Sequence, residues 1–553
     1  MPSTLDHLTK SPFNLDREAL DWVTQTFQAL DDTARAAQLF NLNSRGDDRE
    51  AEIARLGELQ PGGITRYFGA DGTGERAHMA AIQAQAGVPL LVSADLEGSR
   101  MSLPFGTAIP NPLALAAVDD VELTEAISDL MAREARSVGI NWSFTPVLDI
   151  NAAFRSPIVA TRGYGSDPAL IARHALAQMR VFQRLGLAAT VKHWPGEGYD
   201  ERDQHLVTTI NPLSMEEWRA TFGVLYKAAI DQGVKSVMSA HIALPAYVLE
   251  RDPNAGEEAY LPASVSAPLN TALLRGELGF NGLIVSDASE MAGLSGVMPA
   301  HDAKIEIIAS GCDMVLFSSR PEAEIAAVRD AAHSGRIPAE RFHDAVTRVL
   351  ALKASVGLHR SVEMPAHVRE PAAQEVASEA FARAPTLVKD RNGTLPLDPE
   401  KHRRILVVSG GIVEPMQNAR LDFKLPDMLA AEGFEMTLHP YGTPLDTDGQ
   451  DLVLYLFGEE TLLTRGRIFL DWRALHGDFR AAMRRPWTRL PTVMISFGFP
   501  YCLYDAPRVP TYINAYSTHE AMQAAVVEAL MGRRPWNRNS PVDPFAGAPD
   551  ARY

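Results

Sequence analysis

The sequence predicts an α/β protein in which an N-terminal (β/α)8 barrel is followed by a smaller αβα sandwich. Three observations carry this prediction. Eight short apolar runs are separated by helical segments, polar residues follow several of these runs, and a shorter series of apolar runs appears after a polar connection. Strands that alternate with helices are typical of parallel sheets, and eight of them favour a closed barrel.

The eight apolar runs are predicted to be the barrel strands. They are AAQLFNL (36–42), GGITRYFG (62–69), PLLVSADLEG (89–98), INWSFTPVLDIN (140–151), LAATVKHWPG (187–196), KSVMSAHIALP (235–245), GLIVSDASEM (282–291) and CDMVLFSS (312–319). Helical patterns cover 16–38, 75–86, 167–185, 214–232, 266–278 and 321–334. An open doubly wound sheet is the alternative, but no GxGxxG follows the first run.

A helix over 339–356 is predicted to close the barrel domain, which we place at 1–356. Residues 357–400 are predicted to form a linker and a connecting helix, because 357–373 contains few apolar residues and two prolines. The sandwich domain is placed at 401–553. Its predicted strands lie at 403–411, 434–440, 451–458, 492–498 and 511–517, and its last helix lies at 519–531.

Composition restricts the possible functions. The 553 residues are 46% apolar and 22% charged, which is typical of a globular enzyme with two domains. The net charge of −17 argues against nucleic acid or an anionic membrane as a partner. No signal segment opens the chain and no apolar run is long enough for a bilayer, so we expect a cytoplasmic location. With two distant cysteines, Cys312 and Cys502, we expect no disulfide framework, metal or cofactor.

The stretch from Leu187 to Ile210 holds the densest group of titratable residues. It begins as an apolar strand and continues into a loop rich in glycine and charge. Asp203 and His205 are two positions apart, so in an extended loop their side chains point the same way, and the carboxylate can accept a hydrogen bond from one imidazole nitrogen. The other nitrogen can then transfer a proton near neutral pH. The alternative is a solvated loop.

Other polar residues follow predicted strands. Asp287 ends the run IVSD and is either a helix N-cap or a carboxylate nucleophile. The acidic pair of DLEGSR, Asp95 and Glu97, is either a surface salt-bridge cluster or a pair of substrate-binding carboxylates. Arg162, in TRGYG, and the adjacent Lys192 and His193 are either solvated or substrate-binding.

Taken together, these motifs resemble those of glycoside hydrolase family 3, and in particular its bacterial β-N-acetylglucosaminidase branch. The similar segments are ADLEGSR for D-x-E-G-G-R, FTPVLDIN, TRGYGSDP, KHWPGEG for K-H-F-P-G-H-G, DQH for D-S-H, MSAHIALP and ASGCDMVLF, in this order over 39–358. The second domain resembles, more weakly, the αβα sandwich that some members carry.

The resemblance implies a retaining, exo-acting β-glycosidase that hydrolyses terminal β-linked N-acetylglucosamine from peptidoglycan or chitin fragments. It implies that Asp287 is the nucleophile and that His205, assisted by Asp203, is the acid/base. It also implies which residues bind the hydroxyls of the sugar in the cleaved position: Asp95, Arg162, Lys192 and His193. An imidazole has an ordinary pKa of about 6.5, which suits a group that acts as acid and then as base.

Four positions depart from the family pattern. Glu197 stands in place of a histidine, Tyr199 of an aspartate, Leu103 of a sugar-binding arginine and Ser99 of a glycine. These positions bear on how the sugar is held. A family 3 enzyme for a non-acetylated β-sugar therefore stays open as an alternative.

Parts of the sequence are also compatible with three other functions. A phosphorylase is possible because an imidazole repels an incoming phosphate less than a glutamate would. A non-catalytic sugar-binding protein is disfavoured by the joint presence of Asp287, Asp203 and His205. A metal hydrolase would use His193, His205, His241 and Asp287, but these residues follow no compact ligand motif. We interpret His241 as a barrel histidine with satisfied ring nitrogens.

Overall fold

A computed structural model describes residues 5–46, 48–360, 364–366, 371–415, 419–537 and 539–553. Residues 361–363 and 367–370 of the predicted linker lie outside these ranges. The described part of that segment contains the predicted connecting helix, at Pro371–Arg383.

The first domain contains a closed barrel of eight parallel strands, as predicted. The strands are β1 Phe40–Ser44, β2 Gly63–Arg66, β3 Leu91–Ala94, β4 Trp142–Ser143, β5 Ala188–Trp194, β6 Ser236–Ser239, β7 Leu283–Ala288 and β8 Met314–Leu316. They pair in chain order, and the register of Phe40 with Val315 joins β8 to β1. Every residue of β2, β3, β5 and β6 is buried, since both faces of a barrel strand are covered.

Each barrel strand is followed by a helical segment. After β1 to β4 these are Arg49–Leu59, Gly72–Gln85, Val121–Ser137 and Pro168–Arg184. After β5 a continuous helical segment runs through Met215–Trp218, Arg219–Gly223 and Val224–Asp231, and after β6 to β8 the helices are Pro268–Glu277, Ala300–Ala309 and Pro321–Ser334. Short helices at Pro112–Val118, Pro245–Arg251 and Ala292–Ser295 precede the main helices that follow β3, β6 and β7. Ala339–Ser355 follows them. None of the described helices is both long and apolar enough to cross a bilayer.

The helical pattern over 16–38 forms two helices, Arg17–Ala29 and Asp32–Gln38. Leu30 is extended and ends the first helix. The Asp31 side chain accepts a hydrogen bond from the Ala34 N–H and so starts the second helix.

The second domain is built on a mixed seven-stranded sheet. Its strands are β9 Thr386–Asp390, β10 Arg404–Val413, β11 Arg420–Leu421, β12 Glu435–Leu438, β13 Leu452–Gly458, β14 Thr492–Ser496 and β15 Thr511–Asn514. The five predicted runs form the parallel strands β10 and β12–β15, whereas β9 and β11, which pair antiparallel, were not predicted. The main helices are Leu425–Ala431, Trp472–His476 and Glu520–Leu530.

The order of the parallel strands reverses at β10. The next parallel strand in the chain, β12, pairs with one edge of β10. Strand β13 pairs with the other edge, and β14 and β15 follow outward. In such sheets a crevice opens between the two central strands at their carboxyl ends.

The carboxyl end of this second sheet faces the loops of the barrel. Glu460, just after β13, is buried and accepts hydrogen bonds from the Ser99 hydroxyl at 2.8 Å and from the Asn111 amide at 3.2 Å. Its backbone carbonyl accepts a bond from the Thr161 hydroxyl at 3.1 Å. Arg100 also crosses the boundary and donates to Glu414 at 2.6 Å. The two domains therefore share a polar, hydrogen-bonded boundary beside the barrel mouth.

Candidate active site

The predicted site residues meet at the carboxyl end of the barrel. Asp95 follows β3, Lys192 and His193 lie in β5, and Asp287 lies in β7. The loop after β5 is tied to the segment after β7, since the Ala292 N–H donates to the His205 carbonyl at 2.9 Å. The Thr208 hydroxyl likewise donates to the Gly293 carbonyl at 2.6 Å. Asp287 and His205 therefore face the same cleft.

Asp203 and His205 form the predicted pair. Nδ1 of His205 lies 2.7 Å from Oδ1 of Asp203, and the same oxygen accepts the His205 backbone N–H at 2.8 Å. Burial alone would raise the pKa of Asp203, but its hydrogen bond and attraction to His205 lower it, so the carboxylate is ionised. This leaves Nε2, on the opposite side of the ring, for a substrate.

The second oxygen of Asp203 is held by the other domain. Oδ2 accepts the backbone N–H of Thr464 at 2.8 Å. Thr464 has a φ of +63°, in the left-handed region that a threonine rarely adopts. The residue lies in the loop after β13, which sequence reasoning did not connect with the dyad.

Asp287 is a buried carboxylate at the end of β7. Its Oδ1 accepts the Ala288 N–H at 2.7 Å, and the next helix has Met291 rather than Asp287 at its N-cap, so the N-cap interpretation was wrong. Burial alone would raise the pKa of Asp287, but the nearby imidazoles of His193, His241 and His205 lower it. The group is therefore anionic and has the ionisation state of a nucleophile.

His241 is a satisfied barrel histidine, as interpreted. Its Nδ1 lies 2.9 Å from the Ser264 hydroxyl and its Nε2 lies 2.9 Å from the Ala288 carbonyl. Burial lowers its pKa, and the charge of Asp287 opposes this shift. With both nitrogens engaged, it supports the end of β7 and offers no free nitrogen for the metal set considered above.

A network of buried charges lies beneath the Asp95 side of the cleft. Arg162 makes two parallel bonds to Glu97, from Nε at 2.8 Å and from one terminal nitrogen at 2.9 Å. Lys192 donates to Asp95 at 2.7 Å and lies 2.8 Å from Glu97. The Asp95 side chain is 38% exposed and the Glu97 side chain 1%. Asp95 can therefore reach a substrate, whereas Glu97 is buried against two cations, which favours the salt-bridge alternative for this residue.

Substitution of Glu97 by glutamine is expected to destabilise the fold by about 3 kcal/mol at neutral pH, because two buried cations lose their counter-charge. Burial alone would raise the pKa of Glu97, but Arg162 and Lys192 hold it well below the ordinary value of 4.5. A lowered folded-state pKa stabilises the protein above the unfolded pKa, and this contribution is lost as the pH falls. The difference between wild type and variant should therefore shrink on acidification.

Denaturant unfolding at pH 7 and at a pH below 4.5, the ordinary pKa of glutamate, measures this difference. The matched control is Glu322→Gln, since the Glu322 side chain is 68% exposed and pairs with Arg55 at 4.0 Å; its effect should stay below about 1 kcal/mol. Equal unfolding free energies for the two variants would contradict the structural role of Glu97.

Asp149 is a site residue that sequence reasoning did not single out. It ends the run FTPVLD, the same signal that marked Asp95 and Asp287. One oxygen lies 2.5 Å from Nδ1 of His193, and the other accepts the backbone N–H groups of His193 at 3.0 Å and Glu197 at 2.9 Å. Asp149 therefore orients the His193 ring and fixes the start of the loop.

Two glycines allow that loop to turn. Gly198 has a φ of +112°, and a Cβ there would lie 1.9 Å from the Ile150 carbonyl. Gly196 has a φ of +120° and lies against the Phe222 ring. Only glycine fits at these two positions, which explains the spacing of the PGEG motif.

Glu197 is buried between the dyad loop and His193. Oε2 accepts the Gln204 amide at 3.0 Å, while Oε1 has no hydrogen-bond partner among the described residues. Burial and the charge of Asp149 raise its pKa well above the ordinary value, so the group tends to be protonated. Glu197 lies within 4.8 Å of donor atoms of Asp149 and His193, a grouping that would suit a metal ion. The direct bond between Asp149 and His193 already explains this cluster.

Arg45 and Tyr67 also reach the rim beside Asp95 and were not predicted. The Arg45 guanidinium lies 5.3 Å from the centre of the Tyr67 ring. Burial and the charge of Asp95 raise the pKa of Tyr67. Tyr67 follows β2 directly, so its position after a barrel strand was the available signal. Leu103, at the position of the expected arginine, is buried.

Comparisons with known proteins agree with this geometry. Residues 36–352 match the family described as "Glycosyl hydrolase family 3 N terminal domain". The chain is 39% identical over 563 residues to a "Beta-N-acetylglucosaminidase/beta-glucosidase" of Cellulomonas fimi, with 98% of each chain covered.

Solved structures match both domains. A "Beta-glucoside phosphorylase BglX" has a TM-score of 0.90 and 33% identity, with 99% of each chain covered. A family 3 β-N-acetylglucosaminidase from Paenibacillus sp. has a TM-score of 0.80 and 26% identity, and the match covers 94% of this chain and 100% of that one.

Proposed function

Because the chain belongs to glycoside hydrolase family 3 and acts on β-linked sugars, we propose that it is a retaining, exo-acting β-glycosidase with Asp287 as nucleophile and His205 as acid/base. The observation that carries the proposal is the pairing of Asp203 with Nδ1 of His205, at 2.7 Å, in the same cleft as the ionised Asp287. It leaves a carboxylate and an imidazole nitrogen as the two reacting groups.

In the first step, the Asp287 carboxylate attacks the anomeric carbon as the bond to the leaving oxygen breaks. The His205 imidazolium gives its Nε2 proton to that oxygen, and a glycosyl ester forms on Asp287. Asp203 stabilises the imidazolium and holds the ring, as the aspartate of a serine hydrolase triad does. In the second step, the neutral His205 takes a proton from water. That water attacks the anomeric carbon and releases Asp287 with net retention.

The sugar in the cleaved position is proposed to bind between the Asp95 side of the cleft and β5. Asp95 offers acceptor oxygens at the rim, and Lys192, Arg162 and His193 lie beneath it. The Arg162 terminal nitrogen that bonds Glu97 also lies 3.4 Å from Nε2 of His193, so these groups form one rigid surface. Groups held this firmly lose little entropy when they bind hydroxyls.

We propose terminal β-linked N-acetylglucosamine, from peptidoglycan or chitin fragments, as the sugar. The relative from Cellulomonas fimi carries the names of both an N-acetylglucosaminidase and a glucosidase, so β-glucosides are the alternative. At Leu103 and the buried Glu197 the family pattern has other residues. We propose that these two side chains influence the preference between N-acetylglucosamine and glucose.

Phosphorolysis is a second candidate, favoured by the similarity over both domains to a β-glucoside phosphorylase. In that reaction phosphate replaces water in the second step and the product is a sugar 1-phosphate. An imidazole paired with Asp203 presents less negative charge to phosphate than a glutamate would.

Hydrolysis of p-nitrophenyl β-N-acetylglucosaminide and β-glucoside, each with and without excess phosphate, tests the proposal. We expect free sugar, faster release from the N-acetylated substrate, and no dependence on phosphate. Formation of sugar 1-phosphate as the main product would favour phosphorolysis instead. No turnover of either glycoside would contradict the proposed glycosidase.

A further inference from the structure

A cavity of about 260 Å³ opens in the second domain at the carboxyl ends of β10 and β13. Gly410 and Gly411 of β10 line one side, and Phe457 and Gly458 of β13 line the other. These are the two strands at which the strand order reverses. Open α/β sheets bind ligands in this crevice, so its position alone marks a candidate site.

Positive charge lines the cavity although the whole chain carries −17. Arg420, Arg465 and Arg467 contribute side chains to its wall. The guanidinium of Arg420 lies 5.2 Å from the centre of the Tyr441 ring, and that of Arg467 lies 4.6 Å from the centre of the Phe469 ring. Stacking on aromatic rings positions these cations without neutralising them.

Two acids, Glu459 and Asp471, share the wall of the cavity with the three arginines. Within the described ranges, neither Arg420 nor Arg467 has a carboxylate within 4.0 Å. Of the two acids in the wall, Asp471 already accepts the backbone N–H groups of Arg473 and Ala474. Burial raises the pKa of Glu459, although the charges of Arg420 and Arg465 oppose this shift. The wall therefore holds more guanidinium groups than carboxyl groups, and this excess favours an anion with several acceptor oxygens, such as a phosphate group.

The cavity is linked to the catalytic loop. Leu462 and Arg465 belong to its wall, and Thr464 lies between them. The Thr464 N–H donates to Asp203 at 2.8 Å. A ligand that contacts Arg465 therefore acts on a segment that holds one oxygen of the dyad.

We propose that this cavity binds a phosphate-bearing small molecule through Arg420, Arg465 and Arg467, and that its occupancy adjusts the acid/base dyad through Thr464. The binding part is independent of the reaction, whereas the coupling rests on the proposed role of His205. The cavity has room beyond a phosphate ion for a sugar ring, so a sugar phosphate is the expected occupant.

Isothermal titration without substrate tests the binding part. The probes are glucose 6-phosphate, inorganic phosphate and, as the neutral control, glucose. We expect binding of the phosphate-bearing probes but not of glucose, and a loss of at least about tenfold in affinity in Arg420→Gln and in Arg467→Gln, since each removes a charge-assisted bond. Arg473→Gln, an exposed arginine of the same domain outside the wall, should bind as wild type does.

The comparison of glucose 6-phosphate with inorganic phosphate identifies the class of ligand. Tighter binding of glucose 6-phosphate would indicate a sugar phosphate. Arg467→Lys, which keeps the charge but loses the planar fork, provides a second variant if a glutamine variant unfolds. No binding by wild type, or equal binding by wild type and both arginine variants, would overturn the site. Equal binding by wild type and both variants is the result expected if phosphate binds at the barrel as a reactant instead.

The coupling is tested by the pH profile of kcat for an aryl glycoside, with and without saturating glucose 6-phosphate. We expect a displaced profile in wild type and none in Arg467→Gln. An unchanged wild-type profile, in protein shown by titration to be saturated, would overturn the coupling. Because binding is measured without turnover, an error in the catalytic roles would leave that result intact.

Discussion

Asp287→Ala is expected to lower kcat/KM on a β-glycoside by about 10³-fold or more, since it removes the atom that forms the covalent intermediate. Two other carboxylates of the site are already engaged, Asp95 with Lys192 and Asp203 with His205. Steady-state kinetics measures the loss, and the thermal unfolding midpoint shows whether the fold persists. Asp302→Ala, an exposed carboxylate paired with Arg336, is the matched control and should retain wild-type activity.

Added azide provides a second test of the role of Asp287. In Asp287→Ala a small anion can enter from the vacated side and attack the anomeric carbon directly, so the glycosyl azide should have the α configuration. Residual activity above a tenth of wild type, or a β-glycosyl azide, would contradict the role of Asp287 as nucleophile.

His205→Ala is expected to slow the cleavage of a natural disaccharide by about 10²–10⁴-fold, because an alkoxide leaves poorly without a proton. A nitrophenolate leaves largely unaided, so the first step on an aryl glycoside should suffer much less. The second step still needs a base to activate water. We therefore expect a burst of nitrophenolate followed by slow turnover, measurable by stopped flow.

Asp203→Ala should show the same pattern in weaker form, since the imidazole stays but loses the carboxylate that orients it. Azide should rescue the second step of His205→Ala and give a β-glycosyl azide, the opposite anomer from the Asp287 variant. Equal losses on both kinds of substrate, without a burst, would assign proton transfer to another group. Glu197, which is buried nearby with a raised pKa, would be the first to test.

The barrel was predictable because its strands are buried on both faces and so appear as continuous apolar runs, each followed by polar residues. The edge strand β9 was missed because TLVKD is short and mixed in polarity, and only its pairing with β15 makes it a strand. Local patterns thus identified the buried parallel strands but not β9 and β11, which depend on pairing with distant segments.

In the candidate site, too, local features could be predicted from the sequence and long-range contacts could not. The pairing of Asp203 with His205 followed from two positions in one loop. The burial of Glu97 depends on Arg162 and Lys192, which lie far along the chain. Its structural role as their counter-charge could therefore not be inferred from the neighbouring sequence. The bond from Thr464 to Asp203 joins residues separated by 261 positions and had no local signal.

That last bond has a consequence for how such enzymes can be recombined. A gene fusion that kept the barrel and replaced the second domain would retain the side chains proposed here to bind the sugar, yet Asp203 would lose the amide that donates to its second oxygen. The incoming domain would have to present a backbone N–H at the same point, from a residue that tolerates a φ near +63°. We therefore expect the two domains to work only in matched combinations and not to be freely exchangeable.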